Sequence, residues 1–251
     1  MPQFIPSFTN YNSVLAIAAH PDDVELSCAG ALMMEMAAGK QVAIVDLTRG
    51  ELGTRGTDII REQEALEAGR IMGIDSRDNL GLPDGFFMND RESRLSVIRM
   101  IRKYRPQIIL TNAPSDRHPD HGHAAELVKD AAFLSGLRKI KTELNGVLQE
   151  EWRPSYVFHF IQDRYLDPSF VYDISPVMER KLEAIRAFKS QFNAQPDNEP
   201  QTFISTPAFL ESIISRAAMY GKMIGVPYAE GFISEKQVGI TSFGALVQNI
   251  T

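Results

Sequence analysis

Val14-Leu15-Ala16-Ile17-Ala18-Ala19 is an unbroken apolar run with no polar alternation. A strand with one wet face alternates apolar and polar residues, so this run predicts a strand buried on both faces. Gln41 to Leu47, apolar from Val42 to Val45, and Ile108-Ile109-Leu110 read as two further buried strands. Between these runs, apolar residues recur at helical spacing. One stretch covers 24–38 and stops at Gly39, and a second covers about 58–72 and closes at Gly73. A third, capped by Asp90, runs to Tyr104 with Leu95, Ile98 and Ile101 on one face. Another helix is expected to begin near His123.

Strands alternating with helices in this way predict a Rossmann-like α/β fold, a mostly parallel sheet flanked by helices. The second half is less regular. Strands are expected at 156–160 and 170–173, and helices at 175–188 and 207–220. Residues 143–154 and 190–206 are polar and turn-rich and read as loops. No repeat or linker composition forces a boundary, so residues 1–251 are expected to form a single α/β domain.

The formal net charge of −6 argues against a general nucleic-acid or anionic-membrane partner, because nothing offsets phosphate repulsion. It leaves room for a local basic pocket. No stretch approaches the roughly 20 apolar residues that a membrane span needs. The first residues lack the charged region and apolar run of a signal peptide. Cys28 is the only cysteine, so no internal disulfide can form. A cytoplasmic location is the default expectation.

Two polar clusters follow expected strands. The first is His20-Pro21-Asp22-Asp23-Val24-Glu25, and the second is Asp116-Arg117-His118-Pro119-Asp120-His121. In a doubly wound sheet both open at the carboxyl edge of the strands, where ligands bind. His20 and Asp23 offer a nitrogen and an oxygen ligand from one tight turn, and His121 is the best third candidate. Two histidines and a carboxylate leave an open fourth position, which is the catalytic zinc pattern. Asp22, beside the metal but not on it, suits a general base. His118 suits an acid or oxyanion partner if it is protonated through Asp120, and Asp120 itself suits the orientation of a ligand. The alternative is that the acids cap the helix from Val24 while the histidines face solvent.

His123 reads as solvent-facing, His159 as a histidine of a sheet face, and Cys28 as a core residue. The glycine-rich loop of residues 46–57 leaves the second strand toward the same edge. Its Arg55, with Arg61 and Arg117, is the obvious source of positive potential near a substrate. A nucleotide-binding site is rejected, because Asp22 and Asp23 stand where a pyrophosphate cradle needs glycines. A phosphoesterase is the remaining rival, although such sites commonly use two metals.

At these residues the chain closely resembles the LmbE-like, or PIG-L, family of zinc-dependent N-acetylglucosamine deacetylases. The family pattern, His-Pro-Asp-Asp-x-Glu and a later His-Pro-Asp-His, stands as His20 to Glu25 and His118 to His121. A subgroup acting on N-acetylglucosaminyl-malate in bacillithiol synthesis is similar also in the 46–57 loop, Asp84-Gly85-Phe86-Phe87, Ser190-Gln191-Phe192 and Tyr228-Ala229-Glu230-Gly231-Phe232. The resemblance implies zinc on His20, Asp23 and His121, with Asp22 as base and His118 as its partner. It also implies Arg61 and Arg117 near an amino-sugar substrate, and a homo-oligomer (trimer or hexamer). Phe209 stands where some relatives place a mobile tyrosine.

Overall fold

The Val14–Ala19 run is apolar throughout because its alternate side chains enter two different cores. The structure, a computed structural model, describes residues 13–74, 76–192, 200–240 and 242–246. Val14, Ala16 and Ala18 pack with Val24, Leu32, Ile44, Ala68 and Phe188. Leu15, Ile17 and Ala19 pack with Val45, Leu47, Val97, Ile101, Leu127 and Val128. Side chains alternate across a strand, so the two sets lie on opposite faces of the sheet. Each fully buried Leu or Ile there contributes roughly 1.5–3 kcal/mol relative to exposure.

The chain runs β1 (Ser13–Ala18), α1 (Asp23–Ser27), α2 (Ala29–Ala37), β2 (Gln41–Thr48), α3 (Asp58–Met72), β3 (Arg77–Leu82), α4 (Arg91–Tyr104), β4 (Ile108–Thr111) and α5 (Pro119–Ser135). It continues as β5 (Glu143–Leu144), β6 (Val147–Leu148), β7 (Tyr156–Phe160), β8 (Phe170–Asp173), α6 (Met178–Arg186), α7 (Lys189–Phe192), α8 (Pro207–Ile224) and β9 (Ala229–Ser234). The main sheet has the order β3-β2-β1-β4-β7-β9-β8. Its first five strands are parallel, and β9 pairs antiparallel with both β7 and β8. The chain steps outward from β1 to β3 and then returns to the other side of β1 with β4. The crevice beyond the carboxyl ends of β1 and β4 is therefore a topological switch point. Among the described residues no helix is long and apolar enough to cross a membrane.

Several expectations need correction. The helix expected over 24–38 is two helices, broken at Cys28 (φ −134°, ψ 10°). The free N–H groups at the start of α2 are satisfied from outside: Gly30 and Ala31 donate to the Glu230 carboxylate at 2.9 and 2.8 Å. The helix expected near His123 starts four residues earlier, at Pro119, so the second cluster is a helix N-terminus rather than a loop. Proline suits that first position because its missing N–H has no partner there anyway. Strands β3 and β9 were not expected, and β5 and β6 form a short hairpin inside a segment read as loop. The 175–188 helix is a 3-10 turn (Ser175–Val177) followed by α6, and α8 extends to Ile224. The loop expectation for 190–206 gives way to α7 at its start, and residues 193–199 lie outside the described residues.

Candidate active site

The turn after β1 is tight. Asp23 N donates to His20 O at 3.3 Å, and His20 N donates to Asp23 Oδ2 at 3.0 Å. Asp22, between them, is held at φ 110°. A non-glycine residue in that region costs of order 1–3 kcal/mol and persists only where its surroundings enforce it. Asp22 occupies the cap position of α1, but its side chain caps nothing and instead meets Arg61 Nη2 at 3.1 Å. This excludes the capping alternative for Asp22. Arg61 also donates to Pro21 O at 2.5 Å and to Gly50 O at 3.1 Å. Gly50 is required here: its φ is +66°, and a Cβ would fall 2.0 Å from Arg61 Nη1.

At the end of β4 the second cluster faces the first. His121 Nδ1 bonds Asp116 Oδ2 at 2.7 Å, which leaves Nε2 facing Asp23 Oδ1 at 3.2 Å. His20 has carboxylates at both ring nitrogens: Asp23 at 3.5 Å from Nδ1, and Asp84 and Asp120 at 3.0 and 3.4 Å from Nε2. The His118 ring lies edge-on to His20, with centroids 4.6 Å apart. His20, His118 and His121 bring one nitrogen each within 4.8 Å of one another, and His20, Asp84 and Asp120 bring ligand atoms equally close. Asp23 touches both His20 and His121. Its Oδ2 accepts from Asn112 Nδ2 at 3.1 Å and its Oδ1 from Gln162 Nε2 at 2.7 Å.

This donor set fits a divalent cation. A carboxylate on one ring nitrogen of a histidine fixes the tautomer that presents the other as a ligand, and His121 with Asp116 has that arrangement. Burial alone would lower the His121 pKa, but Asp23 and Asp116 overcome it and raise it to about 9. Burial would push Asp23 up, yet the His121 and His20 charges hold it well below the usual carboxylate range. Asp22 goes the other way. Burial pushes it up to about 7, Arg61 opposes, and the neighbouring Asp23 adds to the rise.

His118 departs from expectation. Burial first, and then the nearby His20 and His121, lower its pKa. Asp120 does not pair with it; that carboxylate faces His20 and accepts from Gly85 N at 2.8 Å. His118 Nδ1 accepts from Asp120 N at 3.3 Å, so a neutral ring carries its proton on Nε2.

A cavity of about 290 Å³ opens over these groups, lined also by Leu26, Gly53, Asp84, Gln162, Phe209 and Arg216. Of the arginines expected near a substrate, Arg61 and Arg117 line it, whereas Arg55 is buried and does not. Phe209 lines it too, stacked on Phe192 with centroids 5.9 Å apart. His123 is half-exposed and His159 is held by Asn112 O and Glu235, both as expected. Cys28 is fully buried in the core. Glu25, the last residue of the first cluster, points away from the cavity and is bound by Arg77 at 2.5 Å. Asp84, Gln162 and Arg216 were not singled out as site residues from the sequence. Asp84 and Gln162 each stand two positions beyond a strand of the main sheet, which is the signal that could have found them.

Fold and site together define a Rossmann-like protein with a histidine and carboxylate cluster of metal-ligating composition at its switch point. The PIG-L family model, GlcNAc-PI de-N-acetylase, matches residues 15–132, a span that contains both clusters. A diacetylchitobiose deacetylase of Thermococcus kodakarensis is 31% identical over 235 residues, covering 89% of this chain and 83% of that protein. A probable N-acetyl-alpha-D-glucosaminyl L-malate deacetylase 2 of Bacillus subtilis is 28% identical over 195 residues, covering 71% of this chain and 82% of that one. The solved structure of a conserved Thermus thermophilus protein superposes with a TM-score of 0.82 at 36% identity, covering 92% of this chain and 98% of that one. The chain belongs to the PIG-L, or LmbE-like, deacetylase family.

Proposed function

We propose that this protein is a zinc-dependent hydrolase that removes the N-acetyl group of a GlcNAc-type substrate. The observation that carries the reading is the pairing of a carboxylate-backed His/Asp cluster with a separate buried acid, Asp22, poised near neutrality. His20, Asp23 and His121 would hold the metal, which supplies Lewis acidity toward the acetyl carbonyl and the attacking water. Asp22 takes the proton from that water as the oxygen–carbon bond forms. Arg61, bonded to Asp22, keeps the acid from remaining protonated in its buried setting. His118 presents Nε2–H to the charge developing on the carbonyl oxygen. The carbon–nitrogen bond then breaks, and the proton held by Asp22 passes to the departing amine. Acetate and the free amino sugar result.

The metal assignment has a direct check. His121→Ala and Asp23→Asn are each expected to lose bound zinc and activity together, as measured by elemental analysis and amine release. Full zinc occupancy in His121→Ala would remove that residue from the ligand set.

For the substrate, N-acetylglucosaminyl-malate, as in bacillithiol synthesis, is the preferred reading. Sequence likeness to the malate-conjugate deacetylase and cations at the cavity wall support it. The 31% identity to a diacetylchitobiose deacetylase favours a second reading, a neutral chito-disaccharide. Amine release by the zinc-loaded enzyme from GlcNAc, diacetylchitobiose and the malate conjugate separates them. The malate conjugate is expected to show the highest kcat/KM, falling as salt rises. Equal efficiency on the disaccharide without salt dependence would leave general deacetylation standing and remove the anionic substrate.

A further inference from the structure

Three arginines line the cavity, and they differ in what already occupies them. Arg61 is bonded to Asp22, Pro21 O and Gly50 O. Arg117 is ion-paired with Asp163 at 3.4 Å and lies over the Phe203 ring, 4.7 Å from its centroid. Arg216, from the middle of α8, makes no ion pair or hydrogen bond among the described residues. It is set into the wall, between the cavity and a small void lined by Leu26, Lys181, Tyr220 and Glu230. Acidic groups act on it only from a distance, chiefly Tyr220, Asp163, Asp116 and Glu230.

A second unsatisfied group lines the same cavity. Gln162 donates through Nε2 to Asp23, but its Oε1 is buried without a partner. Leaving a buried polar atom unpaired costs about 1–3 kcal/mol, whereas Arg216 is half-buried and lines the open cavity. Leu26 and Phe209 make the adjoining wall apolar. The wall therefore offers a forked cation and an acceptor that no protein group uses among the described residues.

We infer that Arg216 is the carboxylate receptor of this cavity. A guanidinium fork matches a carboxylate bidentately. A hydroxyl beside that carboxylate would donate to Gln162 Oε1. The inference rests on reading the cavity as an N-deacetylase site, where the carboxylate has two sources: an acidic aglycone of the substrate, or the acetate that the reaction releases.

The test compares wild type with Arg216→Met, each zinc-loaded and checked for metal content and thermal melting. Malate and acetate are titrated calorimetrically, and KM and kcat are measured for the malate conjugate and for diacetylchitobiose. Malate affinity is expected to fall about 10- to 100-fold, the loss of a charge-assisted hydrogen bond. KM for the anionic substrate is expected to rise by a similar factor, with kcat and the neutral substrate changed less than about 2-fold. Loss of acetate affinity without a change in either KM would identify the product as the bound carboxylate. Unchanged affinity for both anions, or equal damage to neutral and anionic substrates, would overturn the assignment. If Arg216→Met does not fold, Arg216→Gln is read by the same criteria. If the wild type deacetylates nothing but its anion binding depends on Arg216, the receptor stands and the deacetylase reading falls. Deacetylation with anion binding indifferent to Arg216 gives the reverse.

Discussion

Asp22→Asn is expected to keep its zinc and lose turnover by roughly 10²- to 10⁴-fold, the usual range for removing a general base. Asn matches Asp in shape and can still accept from Arg61, so the strained turn at φ 110° has the same partners. What it cannot do is take a proton. The wild-type carboxyl is suited to that step because burial brings its pKa to about 7 while Arg61 limits the rise. An acid at that value is ionised often enough to act and basic enough to accept. Its neighbour has the opposite character: Asp23 bonds four groups, among them His20 and Gln162, and stays ionised. The two acids are adjacent in sequence but divide into a proton carrier and a fixed anion. Elemental analysis with kcat on one preparation decides the matter. Zinc lost from Asp22→Asn but retained by Asp23→Asn would exchange the two roles.

The parts of this molecule legible in its sequence are those fixed by local pattern. Strands β1, β2 and β4 could be read because burial on both faces gives each a continuous apolar stretch, at residues 14–18, 42–45 and 108–110. Strand β9 could not, since Glu230 and Gly231 interrupt its apolar pattern. Glu230 is tolerated there only because Lys181 at 2.6 Å and the N–H groups of α2 satisfy it, from about 50 and 200 residues away. Strand β3 is a half-exposed edge carrying Asn79 and Gly81, and its signal is weak for that reason. The same division holds at the site. His20, Asp22, Asp23, His118, Asp120 and His121 come as two short clusters, and the fold brings those clusters together. Gln162 comes singly, two positions beyond β7, and Arg216 singly from the middle of α8, with no local motif. Arg61 was recognisable as important but not in its role, because a sequence does not reveal that a guanidinium faces inward.

Arg77→Met is expected to destabilise the protein by about 3–5 kcal/mol, the cost of breaking a buried ion network by removing one partner. Arg77 reaches Glu25 Oε1 at 2.5 Å, Asp46 Oδ2 at 2.7 Å and Asp46 Oδ1 at 2.9 Å, with all three side chains buried. Among the described residues it is the single cation holding these two buried carboxylates, and through Glu25 it ties α1, which follows Asp22 directly, to the sheet. Burial pushes the Glu25 pKa up, and Arg77 is the main force holding it down. Without Arg77 the folded-state pKa of Glu25 rises further above its unfolded value. The folded variant then binds protons that the unfolded chain does not, so its stability falls as pH rises through that interval. The loss relative to wild type is therefore expected to be larger at pH 8 than at pH 5. Denaturant unfolding at both values measures it. A loss below about 1 kcal/mol at pH 8, or one that does not change with pH, would show that the network contributes little to the fold. Metal content of the folded variant then reports whether the anchor at Glu25 also fixes the turn that carries Asp22 and Asp23.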